Sequence, residues 1–274
     1  MTVTALILGS GQDGGSPQVG TWGDGGIERS ASSVAIITQD GAALLFDVSP
    51  DFRMQYQFLA SYMGEVPALD GVFITHGHMG HYAGLVHFGM EAAATESLPL
   101  FAPRSVLDYL SANEPWATLI TDKRLAPIEI DDATATIGGV SVLAVPVPHR
   151  GEYTGTVGFS VLVHGRPWLL YLPDIDGWDV WPAAIDTIAD HDVAIIDATF
   201  SSLDELPHRD LLAIKHPLVS DTIARFAHLT KTTSIVLSHI NHSNPLGKAD
   251  AAITQQAEDA GFVIARDGMV IPRA

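Results

Sequence analysis

Three histidines fall within six positions, in the segment Thr75-His76-Gly77-His78-Met79-Gly80-His81-Tyr82. The apolar run Gly71–Thr75 predicts a strand that ends just before them, and a helix is expected to begin just after. In a turn leaving a strand end, side chains at positions i and i+2 can point the same way. A third on the first helical turn can face back toward them. That spacing gathers imidazoles around one point, which suits Zn²⁺ or Fe²⁺, with Mn²⁺ a further candidate. His accounts for 12 of 274 residues, so three in six positions sets this segment apart from a solvated loop.

Composition narrows how such a metal is held. Cys is absent, which excludes disulfides, thiolate zinc sites, iron–sulfur clusters and cysteine nucleophiles. The ligands must then be His, Asp or Glu. Lys and Arg number 14 against 32 Asp and Glu, a formal net charge of −18. Such a chain repels phosphate backbones and anionic membrane surfaces, so neither nucleic acid nor membrane is an expected partner. A small-molecule substrate is expected, with a homodimer as an open alternative to a monomer. No stretch approaches the roughly 18 uninterrupted apolar residues of a membrane span. The start, Met1–Leu8, lacks a basic segment and reads directly as a strand. A cytoplasmic protein is expected.

Hydrophobic residues make up 47% and charged residues 17%, enough for a sizeable core. Short Val-, Ile- and Leu-rich runs bounded by Gly, Pro and Asp predict the strands that position the histidines. They are Val3–Leu8, Ser33–Thr38, Ala42–Phe46, Gly71–Thr75, Leu98–Phe101, Val140–Val147, Val157–Val163, Pro167–Leu172, Val193–Ile196, Ser234–Leu237, and the pair Phe262–Ala265 with Met269–Ile271. Helices are predicted over Phe52–Met63, Ala83–Ala94, Ser105–Ser111, Trp181–Ile188, Ser220–Leu229 and Ala249–Ala260. Strands in groups with helices between them fit a sheet core covered by helices, in one domain over residues 1–274.

The spacing is that of H-x-H-x-D-H metallohydrolases rather than of H-E-x-x-H zincins, and the segment resembles the metal motif of the metallo-β-lactamase superfamily. The resemblance implies an α/β (α+β) fold, a four-layer αββα sandwich with a two-metal site between strand ends. It implies a structural Asp at Asp47, a third His for the first metal at His149, a metal-bridging carboxylate at Asp174 and a last His at His239. The implied metal ligands are therefore His76, His78, His81, His149, Asp174 and His239. The blocks Gly9–Gln18, Ser49–Gln55, His239–Leu246 and Asp267–Met269 resemble coenzyme PQQ synthesis protein B, and they run through essentially the whole chain. Two positions depart from the pattern. Gly80 stands where the superfamily has its Asp, which leaves the second metal with His81, His239 and Asp174 and predicts a weaker second site or a single ion. That subgroup also usually carries a cysteine-containing stretch after its glycine-rich loop and often a degraded His motif. This chain has no Cys and keeps all three motif histidines.

A centre with three neutral His ligands lowers the pKa of a bound water toward about 7, so metal-bound hydroxide is the expected nucleophile, with Asp174 bridging or orienting it. The proton donor to the leaving group is expected at His242, three residues beyond His239, with Asp13 in the glycine-rich loop as a weaker candidate. The leading expectation is a hydrolase acting on a small ester, lactone or phosphodiester with one or two Zn²⁺. The alternative is an iron-dependent oxygenase or hydroxylase in cofactor or natural-product biosynthesis. Asp197 is expected either beside the metal ligands or as a strand-end cap, and His216 either at the pocket or ordering a loop. Trp22, Trp178 and Trp181 are expected in ordinary packing before a substrate wall. Gly9–Gly15 lacks the Lys-Ser/Thr of a phosphate loop and reads as a place where backbone approaches the metal site.

Overall fold

The structure, a computed structural model, describes residues 2–21, 26–131, 133–206 and 208–273. Trp22 lies outside the described residues. Fourteen strands form among these: β1 Val3–Gly9, β2 Ser33–Thr38, β3 Ala43–Phe46, β4 Leu69–Phe73, β5 Leu98–Ala102, β6 Leu125–Glu129, β7 Thr134–Ile137, β8 Val140–Val147, β9 Thr156–Val163, β10 Arg166–Leu172, β11 Val193–Asp197, β12 Ser234–Ser238, β13 Val263–Ile264 and β14 Val270–Pro272. One sheet has the order β14-β1-β2-β3-β4-β5-β6, and the other β13-β12-β11-β10-β9-β8-β7. In the first, β14 through β3 pair antiparallel and β3 through β6 pair parallel. In the second, β13 through β10 are parallel and β10 through β7 antiparallel.

The strands read as continuous apolar runs because both of their faces are covered. In β1, Val3, Ala5 and Ile7 face a central layer shared with the other sheet, while Leu6 and Leu8 face an outer layer. In β11, Val193 and Ile195 point inward and Ala194 and Ile196 outward. Helices cover the outer faces. Phe52 and Leu59 of helix Phe52–Met63 and Val106 and Leu110 of helix Arg104–Ala112 pack on the first sheet. Val219, Ile223 and Phe226 of helix Val219–Phe226 and Ile188 of helix Ala184–Ala189 pack on the second. The result is the αββα sandwich. Among the described residues, no helix is long and apolar enough to cross a membrane.

The central layer is aromatic. Phe73 stacks between Phe46 and Phe101, with centroids 4.8 and 4.7 Å away, and Phe159 of the opposite sheet meets Phe46 and Phe73 edge-on at 5.5 and 5.6 Å. Such pairs add to the burial term. Phe159→Ala opens a void between the sheets that neither sheet can close alone. We expect a loss of about 3–5 kcal/mol in urea unfolding; a loss under about 1 kcal/mol would mean that this layer is not close-packed.

Several elements differ from the sequence expectation. The helix expected over 83–94 is one α-turn, Met79–Tyr82, followed by a 3₁₀ segment, Ala83–Phe88. The backbone there passes close to Ser49 and Phe52, against which a Cβ on Gly84 would clash. Strands β6 and β7 were not anticipated. Both are sheet edges whose residues are mostly exposed or half-buried, so they carry little apolar signal. The segments near 263 and 270 do not pair with each other. The chain crosses between them, so that β13 extends the second sheet and β14 the first.

Candidate metal centre

The parallel strands of both sheets end at one edge of the sandwich, where side chains beyond their carboxyl ends converge. Asp47 follows β3, His76 and His78 follow β4, Asp174 follows β10 and His239 follows β12, while His149 follows β8. Asp47 and His239 both adopt φ of 58°, in the left-handed region that costs a non-glycine residue on the order of 1 kcal/mol. The sharp bend carries each side chain back over the strand ends.

Three overlapping groups of potential ligand atoms result, the third being Asp174, Asp197, His216 and His239. In the first, His76 Nε2 and His149 Nε2 stand 2.8 and 3.2 Å from His78 Nδ1. In the second, His81 Nε2 and His239 Nε2 stand 2.8 and 3.2 Å from Asp174 Oδ2, and Asp13 Oδ1 lies 3.3 Å from His81 Nε2. Asp174 joins the two, with Oδ2 3.4 Å from His76 Nε2 and Oδ1 3.7 Å from His149 Nε2.

The opposite nitrogen of most of these rings is already engaged. Asp47 Oδ2 lies 2.7 Å from His81 Nδ1, Thr199 Oγ1 lies 2.8 Å from His239 Nδ1, and Thr75 Oγ1 lies 2.9 Å from His76 Nδ1. Glu152 Oε2 lies 3.3 Å from His78 Nε2. Asp47 is itself fixed, because it accepts the Thr75 N–H at 2.8 Å and the Tyr171 hydroxyl at 3.1 Å. Tyr171 belongs to the central aromatic layer, so the core holds the site directly. Such backing partners set ring orientation and tautomer.

The front atoms are left over. Among the described residues, Asp13 Oδ1, His81 Nε2, Asp174 Oδ2 and His239 Nε2 are buried with no hydrogen-bond partner. They approach one another without aligning as donor and acceptor, because they aim at a shared point. A buried polar atom without a partner is costly, and a divalent cation would satisfy all four. The donor set is nitrogen and oxygen only, which fits Zn²⁺, Fe²⁺ or Mn²⁺.

The electrostatics of the centre follow from this crowding. Burial pushes the His81 imidazole down, but the carboxylates of Asp47, Asp13 and Asp174 outweigh it and hold its pKa well above the ordinary value. Burial likewise favours the neutral form of Asp174, but His239, His149 and His81 hold its carboxyl well below the usual range. Burial, reinforced by the charge of His81, holds His76 well below. Burial also takes His149 down to about 4.

All six ligand candidates named from the sequence meet here, and Asp13 joins them. His242 does not. It is half-buried, belongs to none of the three groups and makes no hydrogen bond or ion pair among the described residues. The Asp13 side chain occupies the space beside Gly80, where a Cβ would meet it.

Asp197 both caps its strand end and supports the site. Its Oδ1 accepts the Thr199 N–H at 2.9 Å, and its Oδ2 lies 2.7 Å from His216 Nδ1. His216 is buried, sits 3.5 Å from Asp174 Oδ1, and lines a cavity of about 660 Å³ together with Asp176, Trp178, Phe200, Lys215 and Arg225. Trp178 and Trp181 are packed in the outer core, and Trp178 also forms part of that cavity wall. The backing residues Thr75, Thr199, Glu152 and Tyr171 were missed in the sequence. Thr75 and Thr199 abut strand ends, the one signal that could have found them.

The description "Beta-lactamase superfamily domain" matches residues 43–240. Coenzyme PQQ synthesis protein B of Methylobacterium sp. (strain 4-46) is 26% identical, over 97% of this chain and 99% of that protein. The crystal structure of Zn(2+)-bound PqqB from Methylobacterium extorquens is similar at a TM-score of 0.77 and 24% identity, over 98% of this chain and 99% of that one. A diphosphatase from the PhnP family is similar at 0.74 and 23% identity, over 100% and 98%. The paired sheets, their shared strand-end edge and a match spanning residues 43–240 agree: this chain belongs to the β-lactamase superfamily, in its metallo-β-lactamase fold.

Proposed function

We propose that this chain is a metal-dependent hydrolase that cleaves a small ester, lactone or phosphodiester. The observation that carries the reading is the pair of buried donor groups joined by one carboxylate, Asp174. His76, His78 and His149 would hold one divalent ion, and His81, His239 and Asp174 a second. When bound, such ions polarise the scissile oxygen and make water a nucleophile near neutral pH. The protein's part is to fix the ligands and supply a proton.

His216, rather than His242, is the residue placed for that proton. Asp197 engages its Nδ1, which leaves Nε2 for the leaving group, and the ring lies between Asp174 and the cavity. Burial favours the neutral ring, but the Asp197 carboxylate outweighs burial and raises its pKa. The cavity has the volume of a small-molecule site. Arg225 Nε on its wall is buried and has no partner among the described residues, which favours a substrate with an anionic or acceptor group. His216→Gln is expected to lower turnover at least about 10²-fold with metal content unchanged. The loss should shrink for substrates whose leaving group needs no proton. Loss of metal instead would make His216 a ligand.

The experiment that tests the reading is elemental analysis of anaerobically purified protein beside assays on ester, lactone and phosphodiester panels. Zinc or manganese with turnover of one class supports it. Iron with oxygen uptake and no hydrolysis overturns it in favour of an oxygenase.

A further inference from the structure

We propose that Asp13, on the glycine-rich N-terminal loop, is the carboxylate ligand of the second metal ion and takes the place that Gly80 vacates in the histidine motif. This rests on the two-ion reading above and assigns a ligand that the motif itself does not contain.

The first argument is steric. A Cβ built on Gly80 would overlap Asp13 Oδ1 and fall 2.5 Å from the Asp13 Cα. A carboxylate from position 80 and one from position 13 would therefore compete for a single volume, and only glycine at 80 lets the loop in.

The second is the state of the carboxylate. Asp13 Oδ2 accepts the Gln12 side-chain amide at 3.0 Å. Asp13 Oδ1 is buried without a partner, 3.3 Å from His81 Nε2, among three other unpartnered ligand atoms. One oxygen is held and the other is aimed, the arrangement of a ligand rather than of a free acid. Asp13 is also absent from the wall of the cavity beside His216, where a leaving group would need its proton.

The third is the construction of the loop. The Gln12 N–H donates to Ile240 O at 3.0 Å, and the Ile240 N–H donates to Ser10 O at 2.9 Å. Ile240 directly follows His239, so one pair of backbone bonds fixes Asp13 relative to another ligand of the same ion. Asp267 accepts the Ser10 N–H at 2.9 Å, and the buried Arg29 guanidinium donates to Ser10 Oγ at 2.7 Å and to Ala265 O at 2.6 Å. This is a braced support, not a surface loop that drifts past the site.

The test compares wild type with Asp13→Asn, Asp13→Gly, Gly80→Asp and the Asp13→Gly/Gly80→Asp double variant. Zn²⁺ uptake is read by competition with a chromophoric chelator and by elemental analysis. Asp13→Asn keeps the shape and removes the charge, and should weaken the second Zn²⁺ at least about 100-fold while sparing the first. Gly80→Asp alone should gain no metal and should melt at a lower temperature, because its carboxylate meets Asp13. The double variant should recover the second ion that Asp13→Gly loses. Should the double variant fail to fold, Asp13→Asn decides alone. Wild-type protein loading two ions with Asp13→Asn unchanged would overturn this assignment and leave the two-ion reading standing, as would a double variant no tighter than Asp13→Gly. Wild type that takes one ion overturns it too, and wild type that takes none sinks both.

Discussion

Asp174→Asn should yield a folded protein that binds at most one divalent ion per chain and turns over on the order of 10⁴-fold more slowly. Asp174 is the carboxylate that reaches from the second ligand group to the first, with Oδ2 close to His81, His239 and His76 and Oδ1 close to His149 and His216. Asn preserves volume but replaces one oxygen with an amide that has only hydrogens to offer these nitrogens. It also removes the negative charge that two cations would share. A metal centre contributes several kcal/mol to the transition state, and at about 1.4 kcal/mol per factor of ten that gives the stated loss. Elemental analysis and turnover on the best substrate check it. Two ions with near-wild-type turnover would remove Asp174 from the bridging position.

Metal removal should be felt throughout the fold. Chelated protein, returned to saturating Zn²⁺, is expected to melt higher by roughly 10 °C for each ion bound at about 1,000 times its Kd. A ligand at that excess contributes about 4 kcal/mol, and each kcal/mol moves the midpoint by roughly 2–4 °C in a domain near this size. The structural reason is the stranded atoms Asp13 Oδ1, His81 Nε2, Asp174 Oδ2 and His239 Nε2, whose burial without partners the metal-free fold must carry. Calorimetry on chelated and reloaded samples checks it. An unchanged midpoint would mean that the cluster is satisfied without a cation.

Much of this centre was legible before any coordinates, for a physical reason. His76, His78 and His81 are close in sequence because they are close in space, on one turn after β4. The long-range partners His149, Asp174 and His239 came from the family resemblance alone, since no local signal ties them together. Asp197 was expected either beside the metal ligands or as a strand-end cap, and its two oxygens take one contact of each kind. His242 was put forward on its nearness to His239, but sequence adjacency across a left-handed residue does not keep side chains on one side. Asp13 was noticed for its carboxylate and assigned to proton transfer, because nothing in a linear reading says that residue 13 fills the space beside residue 80. In the fold, strands buried on both faces were recognised from their apolar runs. The edge strands β6 and β7 were not, because solvent on their outer rows removes that run.

The bracing of Asp13 also has a consequence for how the protein comes into being. Asp13 is made more than 220 residues before Ile240, Ala265 and Asp267, which hold its loop. The three-histidine group is encoded in full by residue 149, well before its neighbour. During vectorial synthesis the two halves of the centre therefore mature at different moments, and the second closes only once residues 240–267 are released. Loop closure over more than 220 residues is among the most entropically demanding contacts this chain makes. The second ligand group is thus a seal set late, once residues 240–267 have joined residue 13.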